Sequence, residues 1–337
     1  MRFIYLTDTH CRGTPPVNRK DDYVTALRAK LNEVALLARE WEVTALLHGG
    51  DLWDLPNPSI KVVNYFISSL KAAQVPIYII AGNHDLRGQD LNTLPHTMLG
   101  LQNELGLLRL IHSGERLYFQ DQNVRVQITG QPYHLEIDQR DPRLDYCVQK
   151  QNCDYAIHMV HGMLMAEERY PGSQHTQFSQ IYETEADLTL ASHMHFGFPD
   201  HNYQGKQILN IGALVRLSNH LVEIQRPVQV LLIDLSGGQI ELRKLPLKSV
   251  LPGHQVLDRG IAEQMAGQVR KLVAAIQWAR ETREFKEYGL KELVEIIGNQ
   301  EGASQKVRME ALRSVYVVSH RQVDLEKSDI EAKFRIG

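Results

Sequence analysis

The sequence predicts an α/β protein in which two packed β-sheets lie between helices, followed by a small helical C-terminal domain. Three observations carry this. Short apolar runs bounded by glycine and polar residues recur along residues 1–247, the pattern of buried strands. The first three runs alternate with amphipathic helical stretches, which marks a parallel α/β layer. From about residue 258 the chain becomes charged and helical in period. The expected domains are therefore 1–250 and 251–337.

The elements follow in order. Phe3–Leu6 reads as the first strand. Residues 22–41 read as a helix: Val24, Leu27, Leu31, Val34, Ala38 and Trp41 recur at steps of three and four, and Asp21 or Asp22 can cap it. Ala45–His48 is the second strand. Residues 59–74 repeat the helical pattern with Val63, Phe66, Ile67 and Leu70 behind a capping Ser59. The run from Ile77 to Gly82 is the third strand. After Gly88 the pattern changes. Val124, Val126 and Ile128 alternate within a hairpin over 115–130, which suggests a second, more antiparallel region. Strands are expected at 155–160, 187–192, 207–212, 228–235 and 239–247, with Ser236-Gly237-Gly238 turning the last two. In the tail, Ile261, Met265, Val269, Leu272, Val273 and Ile276 form one stripe. Leu290, Leu293, Ile296 and Ile297 form a second, and Val307, Met309, Leu312 and Val315 a third.

Composition narrows the function. Of 337 residues, 43% are hydrophobic and 23% charged, as in ordinary water-soluble domains. No apolar stretch reaches bilayer-spanning length, so no membrane association is expected. The chain opens directly on a strand, without the pattern of a signal peptide. Cys11, Cys147 and Cys153 have neither disulfide nor zinc spacing and read as reduced thiols in a cytoplasmic protein. A net charge of −3 leaves no global basic field and argues against a passive nucleic-acid binder. Bound metal could still supply local positive charge.

Acids and histidines fall at the strand ends. Asp8 and His10 follow the first strand, Asp51 the second, and Asn83, His84 and Asp85 the third. His161 follows the run 156–160, and His193 and His195 follow 188–192. Ligands of open α/β sheets sit beyond the carboxyl ends of strands. Five strands thus deliver oxygen and imidazole donors to one edge, a set able to hold two divalent metals. Other histidines read more plainly. His48 and His158 fit strand interiors, and His134, after a strand, could face the same cleft.

The order Asp8-Thr9-His10, Gly50-Asp51, Gly82-Asn83-His84-Asp85, His161, His193-Met194-His195 resembles the calcineurin-like metallophosphoesterase superfamily, whose pattern is DxH, GD, GNH(D/E), H, HxH. The resemblance implies an α/β/β/α sandwich. It implies that one metal takes Asp8, His10, Asp51 and His195. The other takes Asp51, Asn83, His161 and His193, with Asp51 bridging. His84 would act as general acid or stabilise the phosphoryl group, with Asp85 orienting it. The mixed nitrogen and oxygen set suits Mn²⁺, with Fe or Zn as alternatives, more than Mg²⁺.

Within the superfamily, four features resemble the SbcD-like DNA exonucleases. These are the Gly50-Asp51-Leu52-Trp53-Asp54 turn, the motif spacing with the turn at 130–134, the Asn210-Ile211-Gly212-Ala213 turn after HxH, and the helical tail. That branch implies a DNA nuclease in repair or recombination, a homodimer working with an SMC-type ATPase that docks on the tail. Arg12, Arg87 and Arg216 would then be phosphate contacts, each with a solvated loop charge as the plainer reading. Departures are Ser192 and Val160 for glycines, Cys11-Arg12 for Leu-Gly, and Asp54 where some members have a phosphate-positioning histidine. The alternatives are a small-molecule phosphodiesterase or phosphatase of the same superfamily, and a non-catalytic scaffold.

Overall fold

The computed structural model describes residues 1–121, 124–167, 174–281 and 289–315. The chain forms two compact units, Met1–Leu257 and Asp258–Gly337. Residues 251–257 belong with the first unit, where Leu257 makes an antiparallel bridge to Arg19.

The first unit contains two six-stranded sheets. In the first sheet, β1 (Arg2–Leu6), β2 (Ala45–His48), β3 (Ile77–Ile79) and β4 (Arg109–Leu110) run parallel. The second sheet is built from β5 (Arg116–Gln120), β6 (Arg125–Gln131), β7 (Tyr155–Val160), β10 (Leu188–Ala191), β11 (Phe198–Tyr203) and β12 (Lys206–Asn210). The antiparallel strands β13 (Gln229–Asp234) and β14 (Glu241–Pro246) complete the first, in the order β14-β13-β1-β2-β3-β4. The second is ordered β11-β12-β10-β7-β6-β5. A two-residue pair, β8 (Leu164–Met165) and β9 (Thr176–Gln177), stands apart.

The expectation of a more antiparallel second sheet needs correction. Its central strands β6, β7, β10 and β12 are parallel, and only its edge strands β5 and β11 are antiparallel. The hairpin at 115–130 supplies an antiparallel edge strand, β5, while its second strand, β6, joins the parallel centre. Strand β11 escaped the sequence reading because it is polar, carries Pro199 and is half exposed, as an edge strand can be.

Alternation along β1 explains the layering. Phe3 and Tyr5 point between the sheets, where they meet Leu47, Ile128, Met159 and Leu190. Ile4 and Leu6 point outward against α1 (Tyr23–Glu40), α2 (Ile60–Lys71) and α3 (Met98–Glu104), through Leu27, Leu31, Phe66 and Leu99. Asp22 caps α1 and Ser59 caps α2, as expected. The outer face of the second sheet is covered by Tyr146 of α4 (Arg143–Tyr146) and by Phe178 and Ile181. Two short helices, α5 (Leu221–Gln225) and α6 (Gly253–Val256), flank β13 and β14 in sequence.

In the second unit, α7 (Gly260–Glu281), α8 (Leu290–Gln300) and a helical segment over 305–315 share a core of Val269, Leu272, Ile276, Leu293, Ile297, Val307 and Val315. Most of the named stripe is therefore consumed within the unit. The side chain of Ile261 and residues 316–337 lie outside the described set.

Candidate metal centre

Parallel pairing of β1, β2 and β3 brings their carboxyl ends level, and the same holds for β7 and β10 in the second sheet. The loops that leave these ends are held to one another. His10 N donates to Asp51 O at 3.0 Å, Cys11 N to Leu52 O at 2.9 Å, and Ser192 N to Val160 O at 3.0 Å. The seven donors converge here. Asp8, His10, Asp51 and His195 form one group with ligand atoms within 4.8 Å, and Asp51, His161 and His193 another, so Asp51 belongs to both. Its Oδ2 lies 3.5 Å from His10 Nε2 and 3.5 Å from His161 Nε2. Asn83 Oδ1 completes the second group, 3.2 Å from His161 Nε2.

Three features make this cluster a candidate cation site. Asp8 Oδ1 and Asp51 Oδ2 are buried carboxylate oxygens without a hydrogen-bond partner. Such atoms are costly unless paired with charge. Second, His10 Nε2 and His195 Nε2 face each other at 3.0 Å. Two donors about 2.1 Å from one ion and at right angles to each other would have that separation. Third, the backbone is strained at the donors: Asp8 (φ 49°), His10 (φ 42°), Asp51 (φ 54°) and His193 (φ 71°) are all left-handed. Gly82 is required beside them, since a Cβ there would lie 2.2 Å from Asp51 Oδ1.

The far ring nitrogen of His161 is steered by an acceptor, as is usual for ligating imidazoles. His161 Nδ1 lies 2.8 Å from Gly49 O, and His10 Nδ1 makes a longer 3.5 Å contact with Asp54 Oδ1. Ser192, one of the departures, donates to Gly49 O at 2.6 Å and sits 3.1 Å from His161 Nδ1. Its hydroxyl therefore joins the support of His161.

Burial opposes charge throughout the cluster. Burial pushes His193 down to about 4 and His195 well below the ordinary imidazole value, which leaves both rings neutral and able to ligate. Burial would lower His161 too, but the adjacent Asp51 outweighs it and raises the ring to about 9. A metal ligated by His161 would have to displace that proton. Affinity of the metal-free protein is expected to rise from pH 6.5 towards 9, by up to about tenfold per unit, and then level off. Calorimetry in buffers of differing ionisation enthalpy should register the released proton. A pH-independent affinity over that range would contradict the assignment.

The structure revises other expectations. Asp85 makes no described hydrogen bond to His84. Its buried carboxylate accepts from the amides of Trp53 and Gly82, at 3.0 Å each, and of Leu52 at 3.4 Å, tying two ligand-bearing turns together. His84, exposed at the mouth, is steered by Asp54, whose carbonyl lies 2.9 Å from His84 Nδ1. His134 does not face the cleft but bonds Asp145 at 2.9 Å. Its neighbour Tyr133 does, with ring centroids 5.8 Å from His193 and 6.3 Å from His161. The direction of a side chain within a turn has no sequence signal, so the two were not separable. His48 supports the turn, bonding Gly50 N and Thr9 Oγ1 at 3.2 Å, and His158 is satisfied in the core by Thr129 and Asp145 O. Arg216 is buried and donates to the carbonyls of Glu223, Arg226 and Leu251, so it is no phosphate contact. Arg12 pairs with Asp54 at 3.1 Å. Arg87 is exposed. Beside Asp54 opens a cavity of about 640 Å³ lined by Arg12, Asn57, Lys61, Val62 and Tyr65.

A model of the calcineurin-like phosphoesterase family matches residues 1–197. The DNA double-strand break repair protein Mre11 of Sulfolobus acidocaldarius is 24% identical over 254 residues, covering 70% of this chain and 61% of that protein. The protein of the same name from Methanosarcina acetivorans is 31% identical over 91 residues, 25% of this chain and 14% of that one. This chain thus spans less than two thirds of the length of these relatives. Among solved structures, a dimetal phosphatase from Danio rerio aligns over 74% of this chain and 96% of its own, at 12% identity and a TM-score of 0.46.

Proposed function

The chain belongs to the calcineurin-like phosphoesterase family, and on that premise we propose that it is a two-metal phosphodiesterase that hydrolyses DNA. The observation that carries the chemistry is the meeting of Asp8, His10, Asp51, Asn83, His161, His193 and His195 around unpartnered carboxylate oxygens. Asp8, His10, Asp51 and His195 would hold one ion, and Asp51, Asn83, His161 and His193 the other. Ions held there would supply Lewis-acid charge to the phosphate and lower the pKa of a bound water. The protein's own part is then limited and specific. Two carboxylates leave the loaded centre net positive, which suits an anionic diester in a chain of net charge −3. A carbonyl only accepts, so the Asp54 carbonyl keeps a proton on His84 Nδ1 and leaves Nε2 to exchange a proton with the substrate. Tyr133 stands beside His161 and His193 on that side of the cluster.

The DNA assignment is supported by the printed names of the Mre11 relatives and by Arg12 and Lys61 lining the adjoining cavity. On the same reading the protein works in DNA repair or recombination as a homodimer with an SMC-type ATPase. The stripe of α7 is mostly enclosed in its own unit, so docking would use other surface of the tail. No helix among the described residues is long and apolar enough to cross a membrane.

A second reading, a small-molecule phosphodiesterase, is favoured by two observations. Asp54 places a carboxylate where a phosphate-positioning histidine stands in some nucleases, and Arg216 is withdrawn from the cleft. Labelled linear DNA and a nitrophenyl phosphodiester, each with Mn²⁺, separate the two. DNA degradation that stops on chelation is expected. Ester cleavage without any DNA degradation would establish the second reading.

A further inference from the structure

The strap over residues 210–216 runs directly behind the metal centre. On one side it holds ligand-bearing loops. Asn210 Nδ2 donates to Met194 O at 3.0 Å, Ala213 N to His195 O at 3.0 Å, and Leu214 N to Thr7 O at 3.0 Å. Its close approach needs Gly212 (φ 78°), where a Cβ would lie 2.9 Å from His195 O. On the other side, four successive carbonyls each accept from a cationic side chain. Arg226 Nη1 donates to Ala213 O at 2.7 Å and its Nη2 to Val215 O. Lys30 Nζ donates to Leu214 O at 3.0 Å, and Arg19 Nη1 to Arg216 O at 3.3 Å.

This arrangement is expensive for the fold. Lys30, Arg216 and Arg226 are each less than 10% exposed, and the buried carboxylate among them is that of Glu223, which pairs with Arg226 at 2.9 Å. Burial, reinforced by the nearby arginines, pushes the Lys30 ammonium down to about 7. Apolar residues of similar volume would often be as good or better for stability alone. Carbonyls on one short segment could also have been satisfied by neutral donors. What the cations add is charge-assisted hydrogen bonds at fixed places, in the strap that touches both Thr7-Asp8 and Met194-His195.

We propose that Arg226 and Lys30 are positioning residues for one half of the metal centre: they lock the strap so that Asp8 and His195 meet the same ion. The inference rests on the two-metal reading above. It concerns only the Asp8/His195 side, because Asn83, His161 and His193 make no described hydrogen bond to the strap.

The test is Mn²⁺ titration of the 337-residue chain by calorimetry and electron paramagnetic resonance, with circular dichroism to verify folding. Wild type should bind two ions. Arg226→Lys keeps the charge but cannot reach the carbonyls of both Ala213 and Val215. It should retain one ion at wild-type affinity and bind the other about 10–100-fold more weakly, the scale for losing support behind a ligand. Lys30→Met removes a buried charge but frees Leu214 O, and should shift the same ion in the same direction. A purely structural role would lower the melting temperature without separating the two ions. Should Arg226→Lys fail to fold, Lys30→Met decides on the same criterion. A folded variant that binds both ions as tightly as wild type overturns the proposal. A wild-type protein that binds no pair of ions overturns the two-metal reading instead.

Discussion

Asp51→Asn is expected to empty both metal positions and abolish hydrolysis while leaving the fold intact. The reason lies in how the carboxylate is divided. Oδ1 accepts the amide of His84 at 2.8 Å, and Oδ2 stands 3.5 Å from imidazoles of both halves of the cluster. An asparagine oxygen can keep the first contact. Its amide nitrogen then occupies the shared position as a donor and repels a cation there. The neighbouring imidazoles hold Asp51 well below the ordinary carboxylate range against its burial, so the wild-type group is charged at any working pH. Loss should exceed the about 10–100-fold typical of residues behind the ligands. Elemental analysis and diester turnover should fall together. A folded variant that keeps two ions would remove Asp51 from the bridge.

His84→Gln should separate binding from chemistry. The imidazole packs edge-on against His10 at 4.7 Å between centroids, yet takes no part in either group that contains Asp51. Glutamine retains polarity and approximate reach but cannot exchange a proton. Turnover should therefore drop about 10²–10⁴-fold, the usual contribution of a positioned acid or base. Metal content and DNA affinity should remain near wild type. Unchanged turnover, or the loss of both ions, would show that the ring's role is structural.

Much of this site was readable because strands force it. A continuous apolar run buried on both faces ends where the sheet ends, so a donor placed just after the run has only one edge to occupy. That is why Asp8, Asp51, Asn83, His161 and His193 could be placed from residue order alone. The capped helices at 22–41 and 59–74 were readable for a similar local reason. What failed was set by long-range geometry. Asp85 was expected beside His84 because they are adjacent, but adjacent residues at a turn diverge, and Asp85 turns inward to amides of residues 52 and 53. Arg216 resembled a cleft cation, yet its partners come from residues 223, 226 and 251, whose approach no local pattern encodes. The second sheet's direction was misjudged from its edge hairpin, since parallel partners are remote in sequence.

The left-handed backbone at Asp8, His10, Asp51 and His193 has an evolutionary consequence. Each such residue costs on the order of 1–3 kcal/mol, with Asp and His toward the low end because they tolerate this conformation best. The positions where a substitution, chiefly to glycine, could relax the chain therefore include four that would bind metal. While selection holds the activity, these substitutions are barred. In a descendant freed from that selection they become advantageous, because they stabilise a marginal fold. Ligands would then be lost faster than by neutral drift, and first at these four positions rather than at Asn83, His161 or His195. A lineage of this fold should thus slide readily from enzyme to inert scaffold and return only with difficulty, since regaining the site means accepting the strain before any activity rewards it.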